Sequence, residues 1–146
     1  MKANELRIGN LVFVTRSFNT SEKQAKVKEI NLHYLNMVLK WNNNNYITSI
    51  ILTKEWLLML GFKYNRINNF GKEYSKTMDD GFIFYIELRC DYVCYITGEN
   101  NNGEWEILAK IQYVHQLQNI YFALTGKELN LRNDNCKTLK ITNVNN

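Results

Sequence analysis

The residues of this chain that could do chemistry are few and scattered. Two histidines, His33 and His115, three cysteines and the Asp79-Asp80 pair are the candidates. A nucleophile needs a base beside it, and neither a Ser-His-Asp nor a Cys-His pairing is visible. His115 stands near a helix start with no nucleophile at hand, which fits a solvated helix residue better than a general base. Cys90 and Cys94 are four apart in strand-like sequence, not at the two-residue spacing of a zinc knuckle, and read as structural. Asp79-Asp80-Gly81 offers oxygen ligands, but a hairpin turn wants those same types. Gly9, Gly61, Gly71, Gly81, Gly98, Gly103 and Gly126 are isolated at turns, so no loop cradles phosphate. No catalytic residue, metal, cofactor or small-molecule substrate is expected.

Binding chemistry is better represented. Phe82, Phe84, Tyr85, Tyr92, Tyr95 and Trp105 fall on adjacent strands, and a sheet of exposed aromatics with basic neighbours is how many single-strand RNA binders stack bases. Phe82, Phe84 and Trp105 are in phase with aliphatics, however, and read as core. That leaves Tyr85, with Tyr95, on the outer face and Arg89 as the single nearby cation. A second basic group is Arg16, Lys23, Lys26 and Lys28. Lys26 and Lys28 point the same way, which suits a phosphate contact; charges that protect an edge strand look the same. The candidate partner contacts are therefore Arg16, Lys23, Lys26, Lys28, Tyr85 and Arg89.

The elements that must position them follow from periodicity. The chain has 146 residues, a length that fits one domain or two lobes sharing a core. Leu11 to Val14 reads as a strand after the Gly9-Asn10 turn, and Arg16 to Gln24 as a polar loop. Ala25 to Ile30 alternates. Leu32 to Trp41 alternates again, with His33, Leu35, Met37, Leu39 and Trp41 on one face. The Asn42 to Asn45 run turns the chain into Tyr46 to Ile51. Thr53 then caps a helix over Lys54 to Leu60, closed by Gly61.

A second group of strands follows. Phe70 to Thr77 leads through Asp79-Asp80-Gly81 into Phe82 to Arg89, the strongest strand pattern. Tyr92 to Thr97 and Glu104 to Ile111 complete it, the last with Trp105, Ile107, Ala109 and Ile111 alternating. Val114, Leu117, Tyr121 and Leu124 lie at helical steps, widened by Ile120, and Gly126 ends that helix. His115, Gln116, Gln118 and Asn119 mark its wet side. The expectation is an α+β protein. It has two antiparallel β-meanders (the first SH3-like, residues 1–51), a short middle helix and a C-terminal helix packed on the second sheet (residues 52–146), as one compact unit.

Composition excludes several classes. No apolar run reaches the eighteen or so residues of a membrane span, and Met1 to Glu5 leads into no apolar signal core. Three cysteines without framework spacing do not make a secreted scaffold. A soluble protein of the cytoplasm, with no membrane partner, is expected. The net charge of +4 is modest, though seven Lys/Arg against three Glu in residues 1–40 give the N-terminal part a basic bias. Asparagine is abundant and proline absent, a bias that an AT-rich gene explains.

Three stretches together carry a resemblance. They are Leu6-Arg7-Ile8-Gly9-Asn10, then Leu52-Thr53-Lys54-Glu55-Trp56-Leu57-Leu58-Met59-Leu60-Gly61-Phe62, and the run from Tyr113 to Leu129 (Tyr-Val-His-Gln-Leu-Gln-Asn-Ile-Tyr-Phe-Ala-Leu-Thr-Gly-Lys-Glu-Leu). The chain resembles a family of small proteins encoded by phages and prophages of Bacteroidota. The match spans most of the chain in order and spacing, with variable segments between the anchors. It departs at Ile50-Ile51, where members often carry proline. The resemblance brings no catalytic motif. It implies an accessory protein of mobile DNA that binds and blocks a host defence machine in the bacterial cytoplasm. The activity expected from this is anti-CRISPR inhibition of an RNA-guided nuclease, with a type VI effector as the specific candidate. The alternative is a stand-alone RNA- or nucleic-acid-binding module.

Overall fold

The computed structural model describes residues 5–15, 25–40, 47–78, 81, 83–89, 94–99 and 105–132. In chain order these form β1 (Leu11–Thr15), β2 (Ala25–Glu29), α1 (Leu32–Lys40), β3 (Ile47–Thr48) and α2 (Lys54–Met59). Then come β4 (Lys63–Ile67), β5 (Lys72–Thr77), β6 (Ile83–Leu88), β7 (Cys94–Glu99), β8 (Trp105–Ile111) and α3 (Val114–Thr125). The strands make two antiparallel sheets, one of order β2-β1-β3 and one of order β4-β5-β6-β7-β8, so the expected α+β class holds.

The first sheet differs from the expected meander in one element. Leu32 to Trp41 was expected to be a strand, but Leu32–Lys40 is helical; Trp41 lies outside the described residues. β2 and β3 both run antiparallel to β1 and flank it, so the chain must cross over β1 between them. A tight turn cannot make that crossing and a helix can. Asn31, expected as a bend, is the helix cap: its Oδ1 accepts from Tyr34 N at 3.0 Å. Tyr34, Leu35, Met37 and Val38 then fall on one helical stripe and cover Val12, Ile30 and Ile47.

The five-stranded sheet is a meander, as expected. Gly81 makes the β5–β6 turn at φ 86°, a left-handed conformation that suits glycine, with its N–H donating to Met78 O. Two irregularities interrupt the ladder. One lies between Tyr64 and Arg66 of β4, the other opposite Ile96 and Thr97, where Ile96 pairs Ala109 and Thr97 pairs Ile107. The second leaves Leu108 as an extra residue on β8 and reverses the alternation there. Ile107 was expected to share a face with Ala109 and Ile111; instead it is 54% exposed, while Ile111 is buried.

One apolar cluster joins α2, α3, the inner face of the five-stranded sheet and Leu11 of β1. Phe84 contacts both Phe62 and Tyr121, with ring centroids 6.0 and 6.1 Å away. α2 ends as its sequence suggests, with Gly61 at φ 87°. Phe62 N donates to Leu57 O and Gly61 N to Leu58 O, the paired bonds that close a helix on a left-handed glycine. Arg132 N takes Met59 O, and Lys76 Nζ takes Leu60 O at 2.8 Å, so its last carbonyls are all satisfied.

α3 corrects the expectation about its wet side. His115 and Gln118 are fully buried, and Leu124 is 61% exposed. The cause is a second cover: residues 5–11 lie along the face of α3 beside the one that meets the sheet. Gln118 Oε1 accepts from Leu11 N at 2.8 Å, and its Nε2 donates to Leu129 O at 3.2 Å. Asn119 Oδ1 accepts from Asn10 Nδ2 at 2.9 Å and its Nδ2 donates to Glu5 O at 2.8 Å. Arg7 donates to both carboxylate oxygens of Glu128 and lies over the Phe122 ring, 4.1 Å from its centre. The middle stretch joins the same frame, because Leu52 N donates to Gln112 O and Val114 N to Ile50 O. Residues 6–10, 52–62 and 113–129 thus meet one another at α3.

Candidate interaction surface

An antiparallel sheet with helices on one face leaves its other face to solvent or to a partner. On β6 the sorting is plain. Phe84 and Ile86 point into the core, so Tyr85 and Glu87 point away. The backbone register runs across all five strands: Arg66 pairs with Glu73, Glu73 with Glu87, Glu87 with position 95, and position 95 with Lys110. The next row holds Ser75, Tyr85, Thr97 and Ile107. Beyond it lies Ile83, 40% exposed.

The centre of the face is a pair of carboxylates set directly across two strands. Like charges so placed repel. Each is answered locally. The bulge in β4 turns both Asn65 and Arg66 toward Glu73: Asn65 Nδ2 donates to Oε1 at 3.0 Å and Arg66 Nη2 to Oε2 at 3.4 Å. Re-aiming two side chains at one residue is what a bulge does to a ladder. Glu87 Oε1 accepts from Arg89 Nε at 2.6 Å, and the Arg89 guanidinium lies over the Phe70 ring, 5.4 Å from its centre. Glu73 and Glu87 are only 8% and 6% exposed, although among the described residues the helices lie on the other side of the sheet. The face is therefore a firm, hydrogen-bonded surface of mixed charge with isolated apolar residues.

The expected contact residues fall on two sheets. Tyr85 and Arg89 belong to the face just described. Lys26 and Lys28 are exposed on β2, an edge of the three-stranded sheet, opposite Val14 and Val12. Arg16 and Lys23 lie outside the described residues, as do Asp79, Asp80, Phe82, Cys90 and Tyr92. Arg89 is not the single cation near Tyr85: Arg66 and Lys110 share the adjacent row. Sequence reasoning missed Asn65, Arg66, Glu73 and Lys110 as members of one face. The polar residues Glu73, Ser75 and Thr77 at the period of a strand were a usable signal for Glu73; the bulges that bring the others into line have none.

His115 cannot meet a substrate. Its side chain is fully buried, stacked on Tyr113 with ring centroids 5.6 Å apart, and neither nitrogen has a hydrogen-bond partner among the described residues. Burial pushes its pKa down from the ordinary histidine value, against the pull of the Glu5 carboxylate. Among the described residues no three His, Cys, Asp or Glu side chains are grouped to hold a metal ion, and no helix is long and apolar enough to cross a membrane. Compared with protein-family models, curated proteins and solved structures, the chain matches none.

Proposed function

We propose that the chain is a phage- or prophage-type accessory protein, a non-catalytic inhibitor that binds a host defence nucleoprotein in the bacterial cytoplasm. The partner is an RNA-guided nuclease, with a type VI effector as the specific candidate, so the activity is of the anti-CRISPR kind. The supporting observation is the open face of the five-stranded sheet with Glu73 and Glu87 at its centre. The ion pairs Arg66–Glu73 and Arg89–Glu87 spend two of the cations of the face within it, while Lys110, Tyr85 and Ile107 add the mixed polar and apolar contacts of a protein interface. The three stretches of family resemblance are occupied in holding the frame together, which leaves the surface between them for recognition.

Size supports the same reading and extends it. Five strands about 4.8 Å apart and about six residues long cover roughly 500 Å². A stable complex takes about 800 Å² from each partner. The partner therefore also touches the turns that border the sheet.

Lys26 and Lys28, exposed side by side on an edge strand, favour a second reading: a module that binds RNA by itself. Titration of the purified chain with naked single-stranded RNA separates the two. The inhibitor reading expects weak binding, little changed by charge reversal at Lys26 and Lys28. Tight binding that falls steeply with salt would place the RNA module first.

A further inference from the structure

At one end of the open face, the turn between β4 and β5 holds two large apolar side chains in water. Ile67 is 67% exposed and Phe70 64%. The turn does not need them. Asn68 makes it, accepting on Oδ1 from Phe70 N and Gly71 N at 2.9 Å each and donating from its own N–H to Gly71 O. Gly71 fixes the turn against the sheet, where an added Cβ would stand 2.5 Å from Leu88 O. A polar residue at position 67 or 70 would serve this geometry equally well. Apolar side chains on a turn already locked in place have little freedom left to lose on docking, which is how preformed anchors gain affinity.

Among the described residues, the exposed charge around the turn has one sign. Arg66 and Lys72 are exposed, and the Arg89 guanidinium lies over the Phe70 ring. The adjacent acids, Glu73 and Glu87, are the buried ones. An aromatic and an aliphatic side chain ringed by cations match an apolar pocket with an acidic rim. They do not match a phosphate backbone, because Ile67 and Phe70, both apolar, hold the centre of the patch.

We propose that the β4–β5 turn is a docking anchor: Phe70 and Ile67 enter an apolar pocket on a protein partner, and the exposed Arg66 and Lys72 meet acidic residues at its rim. This rests on the reading that the partner is a protein, and it supplies border area that the sheet face lacks.

The test uses the full chain with p-benzoylphenylalanine in place of Phe70, and a control with it in place of Leu124, exposed on α3. Each is irradiated in nuclease-treated Bacteroidota lysate. The expected result is one protein adduct from position 70 and none from position 124, with the linked partner peptide rich in apolar residues and carrying Asp or Glu. A Phe70→Ser/Ile67→Ser chain, with an unchanged melting temperature, binds that same protein at least about thirty-fold more weakly. Arg66→Glu/Lys72→Glu weakens it in the same direction. A protein held equally by the parent and the Phe70→Ser/Ile67→Ser chain overturns the anchor and leaves the inhibitor reading intact. An adduct to RNA, to lipid or to a second copy of the chain also overturns the anchor. No protein held by the parent chain overturns both.

Discussion

The side chain of Gln118 holds the backbone of Leu11 in place across 107 positions of sequence, its Oε1 accepting the Leu11 N–H at 2.8 Å. The same amide donates to Leu129 O, so one buried residue fixes both the entry to β1 and the segment after α3. Leu11 itself belongs to the main apolar cluster. Replacing Gln118 with Leu keeps the volume and removes the amide. Each buried backbone group left without a partner costs about 1–3 kcal/mol, so the loss is about 2–5 kcal/mol in urea unfolding. A loss under about 1 kcal/mol would mean that the amide does not hold these segments.

Stability falls in mild acid because of His115. Its pKa in the folded chain lies below the ordinary value of 6.5, since burial disfavours the charged ring. Unfolding releases the ring to water, where it takes up a proton below about pH 6.5. The contribution of His115 is thus fully present above that pH and declines below it, by up to about 1.4 kcal/mol per pH unit. His115→Leu removes this term. Between pH 7.5 and pH 5.5 the parent chain should lose about 1 kcal/mol more than the variant; parallel pH profiles would show that the ring is not buried uncharged.

Arg7 and Glu128 tie the N-terminal segment to the end of α3. Glu128 is 41% exposed and Arg7 26%, so screening keeps their pairing weak. A double-mutant cycle with Arg7→Ala and Glu128→Ala should give a coupling of about 0.5–1 kcal/mol. Arg7→Ala alone costs more, about 1–2 kcal/mol, because it also gives up the Phe122 ring and the bond to Asn119 Oδ1. Equal costs for the two single variants would mean that the ion pair is the whole of the contact.

The bulge in β8 is tested by two isoleucines. Ile107 is 54% exposed and Ile111 is 2% exposed. Ile107→Thr should stay within about 0.5 kcal/mol of the parent. Ile111→Thr should cost about 2–4 kcal/mol, from lost burial and a buried hydroxyl. The reverse order would place Ile107 in the core and deny the bulge.

Much of this architecture was legible in the sequence. The left-handed glycines Gly61 and Gly126 close α2 and α3, and the alternation from Phe84 to Glu87 sorts β6 correctly. What failed was of two physical kinds. Leu32–Lys40 fits both a strand and a helix period, and only the need to cross β1 decides between them. His115 and Gln118 read as wet because they are polar; their burial depends on residues 5–11, more than 100 positions away. The outer face was half legible. Tyr85 and Arg89 were visible in phase, but Arg66 and Lys110 join them only through the register that two bulges set.

The central claim is that this surface recognises a protein rather than RNA. A tagged form of the 146-residue chain is used to capture partners from a Bacteroidota host lysate, with and without RNase, and the bound proteins are identified by mass spectrometry. The inhibitor account predicts one defence effector retained after RNase and lost when Tyr85 and Arg89 are both replaced by Ala. A mixture of ribosomal and RNA-associated proteins that disappears with RNase would contradict it.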